Sequence, residues 1–463
     1  MYYINFNHPE YIHFIGIGGI SMSGLAEILL DRGFQVSGSD MGESEITEHL
    51  KKKGAQVFIG QVAENISSDM KAVVYTAAIH PDNQEYQAAA AAGIPMLTRA
   101  ELLGQLMKNY KEAVAVSGTH GKTTTTSMLT EILLDAAKDP TISVGGMLDS
   151  IGGNVRIGRS DCFVTEACEY TNSFLSFYPT VAAVLNIKED HLDFFKDIQD
   201  IRQSFRRFME LVPASGSVIV NDEIDDLDTL VEGLSCEIVR FGQKPDSQFH
   251  AMDVSYDQEG CPSFLLKDTR QAAPVCFERI FLKVPGAHNL ADALAAAALA
   301  FVLRIPFASI KAGLENFHGA HRRFEHKGDV AGITVIDDYA HHPDEIKAAL
   351  AAAKRCSYHE LWCVFQPHTY TRTKAFLHEF AAALSAADHV ILADIYPARE
   401  TDTLGVSSED IHRLLVKMGV DSHYLPTFRQ IEKFVLDICQ PGDMLITMGA
   451  GDVVKVGEDL LKN

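Results

Sequence analysis

The stretch VAVSGTHGKTTTTSML, residues 114–129, decides how this chain is read. An apolar strand runs into Ser117 and Gly118, a short turn carries His120, Gly121 and Lys122, and the threonines that follow lead into a helix. A strand, a glycine-bearing turn and a helix start make an anion site, because the first N–H groups of a helix have no intrahelical partner. Gly118 and Gly121 let the backbone approach phosphate oxygens, Lys122 supplies a cation, and the Thr123 hydroxyl suits Mg²⁺. The common phosphate loop, G-x-x-x-x-G-K-[ST], has Gly where this chain has Val116. A plain strand–helix turn has no need of Lys beside Gly at the helix start, so the context favours a nucleotide site despite the shortened pattern.

Upstream, YIHFIGIGGISMSGLAEILLDRGFQVSGSD (residues 11–40) reads as strand, glycine turn, helix from about Ser21 to Asp31, and a second strand ending on Asp40. With the short strand AVVYTAAI at 72–79 this begins a βαβ dinucleotide-type fold, although Ser21 stands at the third glycine position of G-x-G-x-x-G. The polar segment GQLMKNYKEA at 104–113 marks a boundary. Downstream come the strands CFVTEACEY and TVAAVLNI, the polar run KEDHLD, and a stretch at 221–280 that reads as a less regular insertion with short strands. The run VPGAHNLADALAAAALAFVL then makes a strong helix with Asn289 at its head, where it reads as a cap. FHGAHRRFEHKG (317–328) has the look of a hinge. From about 326, strands alternate with helices, which implies a largely parallel sheet with ligands beyond the strands' C-terminal ends. Polar clusters fall there, at 337–342, 366–372 and 399–400. The expected architecture is α/β in three domains: a Rossmann-like one over 1–108, a central P-loop ATPase-like one over 109–325, and a Rossmann-like one over 326–463.

The 463 residues exceed one ordinary core, and 47% hydrophobic with 22% charged residues fit a globular protein. A net charge of −22 argues against nucleic acid as partner. No run of 18 apolar residues is present and the N-terminus lacks a signal-peptide pattern, so no membrane insertion and a cytoplasmic setting are expected. Eight scattered cysteines form no C-x-x-C pair and read as free thiols.

The chemistry concentrates in a few clusters. Mg²⁺ needs only one or two carboxylates besides phosphate oxygens, and Glu166 ends the strand after the phosphate loop. KEDHLD adds Asp190, His191 and Asp193 at another strand end, with His191 able to serve a second cation. His341, His342, His368 and Arg372 crowd the loops of the third segment, and Arg372 is suited to a bidentate grip on a carboxylate.

In order along the chain, GTHGKTTTT, EACEY, NIKEDHLD, GAHNLADALAA, HRRFE, DDYAHHPDEI and FQPHTYTRT resemble the Mur ligase family. The leading HFIGIGGISMSGLAEILL and the DDYAHHP turn are similar to its branch that adds L-alanine to UDP-N-acetylmuramate. The resemblance implies that Gly18, Gly19 and Ser21 lie near the diphosphate of the UDP-sugar and Asp40 near its uridine end. It implies that Gly118, Thr119, His120, Gly121, Lys122, Thr123 and Thr124 cradle ATP, that Asn289 contacts adenine, Arg323 a phosphate and Asp338 the ribose. Thr123 and Glu166 would serve one Mg²⁺ and His191 a second; Tyr339, His341, His368 and Arg372 would place the amino acid. Lys122, Glu166, His191 and His341 are the implied catalytic set, with His341 the guess for the base. The implied reaction passes through an acyl phosphate, with UDP-N-acetylmuramate, L-alanine and ATP as substrates, in a monomer or homodimer.

Three departures stand out. The helix DIRQSFRRFMEL offers Arg202, Arg206 and Arg207 where many relatives carry a carbamylated Lys. Cys168 stands where relatives often have Asp, and Thr369 where some have Arg. The rival readings are a ligase attaching a recycled murein tripeptide to the same sugar, an NAD(P)-dependent oxidoreductase, and a nucleotide switch.

Overall fold

Alternating apolar strands and amphipathic helices build three successive sheets in the computed structural model, which describes residues 2–244, 247–270, 275–398, 400–402 and 404–462. Arg399, part of the polar cluster at 399–400, lies outside the described residues. The first sheet is parallel, in the order Gln56–Ile59, Gln35–Asp40, Tyr11–Ile15, Ala72–Tyr75, Met96–Thr98. Its order reverses at Tyr11–Ile15, whose C-terminal end delivers the Gly16–Gly19 turn into the helix Ile20–Asp31. That is the crevice where open α/β sheets take their ligands.

The second sheet has ten strands, and the phosphate-loop strand Glu112–Ser117 lies between Val181–Val184 and Cys162–Ala167, parallel to both. Val116 pairs across to Ala183 on one side and Glu166 on the other. Two helices cover this strand's face. Lys122–Asp135 packs against Ala287–Val302, which is buried almost all round, as an Ala-rich helix without a polar face must be. The stretch 221–280 corrects the expectation of an irregular insertion. Its strands Glu237–Gly242, Phe249–Tyr256, Pro262–Asp268 and Val275–Phe281 extend the same sheet in continuous order. The alternating burial of PSFLLKD explains why: one face packs while the other carries polar residues that read as turn in the sequence.

The third sheet runs Glu325–Val330, Ile333–Asp338, Met444–Met448, Leu361–Phe365, His389–Leu392, Asp421–Tyr424, and only its first pair is antiparallel. The first strand starts inside the segment read as a hinge, where Arg322 is anchored to Asp337 at 3.0 Å. The segment read as a boundary is also firmly packed. The helix Arg99–Met107, capped by Thr98 and Glu101, buries Leu102, Leu103, Leu106 and Met107. A Cβ at Gly104 would lie 1.9 Å from the Ser176 carbonyl, so only glycine allows this close approach to the second sheet's loops. All eight cysteines are free thiols, four of them buried. Among the described residues no helix is long and apolar enough to cross a membrane.

Candidate active site

The sheet geometry accounts for Val116. It is fully buried in mid-strand, so the turn starts two residues later, at Gly118. Gly118 (φ 149°) and Gly121 (φ 84°) take the left-handed backbone values that favour glycine. The loop is shaped from the side by the exit of the neighbouring strand. His120 N–H donates to Asn186 Oδ1 at 2.8 Å, Asn186 Nδ2 donates to the His120 carbonyl at 3.0 Å, and Lys188 N–H donates to Thr119 Oγ1 at 2.9 Å. The helix Lys122–Asp135 has no side-chain cap, so its first N–H groups face the loop's concavity.

Lys122 reaches back over this loop. Its ammonium donates to the carbonyls of Gly118 and Thr119 and to Glu169 Oε2 at 3.0 Å. Burial works against its charge, but Glu169, with Cys168 and Glu166 nearby, holds it above the ordinary lysine range. Glu169 was not singled out by sequence, though it stands three residues beyond Glu166 in the same EACEY segment. Glu166 accepts from Gly145 N–H at 2.6 Å. Thr123 sits beside the adjoining Gly146, where an added Cβ would lie 3.1 Å from its methyl. His191, at φ 53°, stacks on Tyr170 at 4.5 Å, with Nε2 3.9 Å from Glu169 Oε1 and 3.6 Å from Asp190 Oδ2. Burial lowers its basicity against the pull of those carboxylates.

The expected metal residues therefore stand in two groups around Lys122. Thr123 and Glu166 pack against the neighbouring Gly146 and Gly145, and His191 stands by Glu169, the partner of Lys122. The hydroxyl and carboxylate oxygens of the first group fit the hard-cation preference of Mg²⁺. Arg202 and Arg206 point elsewhere, to the carbonyls of Asp225, Asp226 and Leu230.

Beside the loop a cavity of about 440 Å³ opens between the second and third sheets. His120, Gly121, Thr124, Asn289, Arg323 and Asp338 all line it, with Leu185, Phe241 and Ala349 among its apolar walls. Apolar walls with a few convergent polar groups suit a nucleotide base and ribose. Asn289 is not a cap: Gly286 caps the helix, and buried Asn289 Nδ2 donates to the Pro285 carbonyl at 2.7 Å. Asp338 accepts from Phe324 N–H at 2.8 Å and Ala340 N–H at 2.7 Å, and burial raises it to about 6. Asp292, on the floor under Gly121, is raised by burial to about 7.

The third segment meets the loop at several points. His120 Nδ1 lies 3.1 Å from Glu345 Oε1, and His342 Nε2 lies 3.0 Å from the Glu189 carbonyl. Glu345 also accepts from the N–H of His341 at 3.0 Å and from the N–H of His342 at 3.3 Å, the second bond completing the cap of the helix Pro343–Ala353. His341 Nδ1 bonds the Tyr339 carbonyl at 3.0 Å, and burial pushes its pKa down to about 4. His368, also lowered to about 4 by burial, stands edge-on to it at 5.9 Å. Tyr339 lies under the guanidinium groups of Arg322 and Arg323, 4.9 and 5.2 Å from its centroid. Arg372 already has a carboxylate partner, Asp190 Oδ1, at 3.1 Å from Nη2. Sequence motifs named Asp190 and Arg372 separately; their pairing needs two domains to meet.

On the first sheet, Gly18 N–H donates to Asp40 Oδ2 and Met41 N–H to Asp40 Oδ1, both at 2.8 Å. Gly19 caps the helix Ile20–Asp31, and Ser21 in its first turn accepts from Arg99 at 3.1 Å. Gly18, Gly19, Ser21 and Asp40 thus lie together around the turn that opens this helix.

Residues 11–111 match the family model described as Mur ligase family, catalytic domain; residues 116–300 match the Mur ligase middle domain; residues 322–451 match the Mur ligase, glutamate ligase domain. UDP-N-acetylmuramate–L-alanine ligases of Lachnospira eligens and Agathobacter rectalis are each 57% identical, over 100% of both chains. The solved UDP-N-acetylmuramate–alanine ligase of Thermotoga maritima superposes with a TM-score of 0.79 at 30% identity, covering 98% of this chain and 99% of its own. A murein peptide ligase of Psychrobacter arcticus shares the fold at a TM-score of 0.70 and 24% identity, covering 98% of each chain.

Proposed function

The chain belongs to the Mur ligase family, and we propose that it joins L-alanine to the lactyl carboxylate of UDP-N-acetylmuramate while ATP is cleaved to ADP and phosphate. The observation that carries this reading is Lys122, held by two loop carbonyls and Glu169 beside the cavity between the second and third sheets. The full-length relatives at 57% identity are alanine ligases, whereas the murein peptide ligase stands at 24%, which favours alanine over a tripeptide as the amine donor. A hydride-transfer enzyme or a nucleotide switch would leave the polar clusters of the third segment without a task.

A carboxylate is a poor electrophile, so its oxygen first takes the γ-phosphoryl group, giving an acyl phosphate and ADP. The neutral amine of alanine then attacks the acyl carbon. The tetrahedral intermediate expels phosphate, and the nitrogen loses a proton to leave the amide. The protein's task is alignment and charge neutralisation. Lys122 and Arg323 would face the phosphates, Asn289 the adenine and Asp338 the ribose. Thr123 and Glu166 would hold one Mg²⁺ and His191 a second, where the cation would offset the phosphate charge. Tyr339, His341, His368 and Arg372 would place the amino acid. With Nδ1 on the Tyr339 carbonyl, a neutral His341 presents Nε2 as the candidate proton acceptor. We assign sugar binding to residues 1–108, ATP to 109–325 and the amino acid to 326–463, in a cytoplasmic monomer or homodimer.

Phosphate release measured with ATP, Mg²⁺ and UDP-N-acetylmuramate against L-alanine, glycine, L-serine and the murein tripeptide tests the reading. Turnover is expected to require the sugar and to be fastest with L-alanine. Turnover with the tripeptide alone, or equal ATP cleavage without any amine, overturns it.

A further inference from the structure

The loops at the C-terminal ends of the third sheet's strands hold the proposed amino-acid site. The opposite rim of that sheet carries a second constellation, which the functional reading does not use. His359, Glu360 and Asp443 each offer a ligand atom there, and the three atoms lie within 4.8 Å of one another. Among the described residues one other trio meets that condition, His120, His342 and Asp344; His120 and Asp344 line the cavity proposed for ATP. The rim trio is built by strand pairing. Leu361–Phe365 and Met444–Met448 run parallel with Leu361 opposite Met444, so the residues just before them emerge side by side. His359 N–H donates to the Gly442 carbonyl at 2.8 Å and Met444 N–H to the Glu360 carbonyl at 3.0 Å, which fixes the two segments against each other.

Each carboxylate of the trio is held from behind. Asp443 is buried; its Oδ2 accepts from Trp362 Nε1 at 3.2 Å and Gln440 N–H at 2.8 Å, while Oδ1 faces His359 Nδ1 at 2.9 Å. Glu360 Oε2 lies 2.9 Å from His389 Nε2, and the other nitrogen of that ring lies 2.6 Å from Asp421 Oδ2. Outer partners of this kind orient metal ligands before the ion arrives. Two carboxylates brought this close repel each other, and among the described residues neither is ion-paired with a lysine or arginine. His359 is exposed, which gives an ion an entry path from solvent. One imidazole nitrogen with two carboxylate oxygens suits a borderline divalent metal such as Zn²⁺ better than Mg²⁺ or Ca²⁺, which prefer oxygen alone. We propose that His359, Glu360 and Asp443 bind a Zn²⁺-class ion that ties together the starts of these two strands, at the end of the third sheet remote from the proposed ligation site. On binding, the proton shared between Nδ1 and Oδ1 leaves for Nε2 or for water, and the metal takes its place.

The chain has a single tryptophan, and Trp362 donates to the proposed ligand Asp443, so its emission reports on this site. Zn²⁺ titrated into the chelator-stripped full-length chain, with Mg²⁺ in excess to fill oxygen-ligated sites, tests the proposal; Co²⁺ serves as a quenching probe of the same site. Expected are a saturable change in Trp362 emission at one Zn²⁺ per chain, quenching by Co²⁺, and no such change with Mg²⁺ alone. H359A and E360Q alter side chains that are 62% and 45% exposed, so their melting temperatures in chelator should stay near that of wild type. Both should weaken the Zn²⁺ response at least about 10-fold. Emission indifferent to Zn²⁺ and Co²⁺ overturns the proposal. A response equally strong in both variants places the ion at the other trio and overturns it as well, and an equal response to Mg²⁺ overturns the choice of metal. Unfolding of both variants in chelator would make the trio a metal-free strut, with the same consequence. None of these results bears on alanine ligation.

Discussion

Asp292 sits against Gly121, where an added Cβ would come within 2.3 Å of its Oδ1, and it accepts from Thr125 Oγ1 at 3.2 Å. Burial raises it from 3.8 to about 7. A carboxyl that holds its proton more tightly when folded gives stability that is complete below the unfolded value. That stability declines as pH rises from about 4 and is gone above about 7. Asp292→Asn keeps the shape and removes the titration. Its melting temperature should gain on wild type as pH rises from 4.5 to 8, by an amount of order 1–4 kcal/mol in stability. A difference between the two proteins that stays constant over that range would mean the site does not titrate there. Lys122 is the second residue-scale test. Lys122→Ala removes the cation from the loop while the Gly18–Asp40 surface lies on another sheet. Ligation should fall at least about 1000-fold, the scale of a lost charge-stabilising group in a transition state, with UDP-sugar affinity within about threefold. Ligation near the wild-type rate would remove Lys122 from the chemistry.

The phosphate loop works as an element because two glycines and one neighbouring strand define it. Gly121→Ala would place a methyl against Asp292 at a φ of 84°. The loop must then move, and ATP affinity should drop at least about 10-fold, at a cost of roughly 1–3 kcal/mol in stability; equal ATP affinity in a titration would show that the loop has another way to close. Much of this element could be read from the chain. Strand, turn and helix follow from apolar patterning, glycine and the Lys–Thr pair, and so does the alternation that builds the first and third sheets. The 221–280 strands were harder to read, because a sheet with one solvated face looks like a string of turns when polar residues occupy alternate positions. The residues proposed to face ligand carried motif signals, but their partners did not. Glu169 on Lys122, Asp190 on Arg372 and Glu345 on His120 are juxtapositions of distant segments, and no local spacing encodes them. Glu345 left one trace, the capping spacing from His342, which foretold a helix start and nothing of its contact with the phosphate loop.

At the scale of the molecule, the second and third domains meet through a small set of polar contacts around the site: Asp190 with Arg372, Glu345 with His120, and the Glu189 carbonyl with His342. All of them come from the phosphate loop or KEDHLD on one side and from DDYAHHPDE or HTYTR on the other. The residues proposed to hold the amino acid therefore also make the contacts between domains, so the proposed function couples closure to amino-acid binding. Arg372 is where this coupling can be measured. Burial opposes the charge on Asp190, yet Arg372 and the nearby histidines hold that carboxyl well below its usual range, so the pair is intact at neutral pH. If Arg372 serves the alanine carboxylate through its remaining N–H groups, Arg372→Ala should raise the KM for alanine at least about 10-fold, the cost of a lost charge-assisted pair, with the KM for ATP within about threefold. Asp190→Asn separates this from a purely mechanical role. It loosens the inter-domain contact but leaves the guanidinium free, so its alanine KM should change less than that of Arg372→Ala. If both variants raise the KM values for alanine and ATP in parallel, Arg372 acts as a strut between domains and the amino-acid carboxylate is held elsewhere.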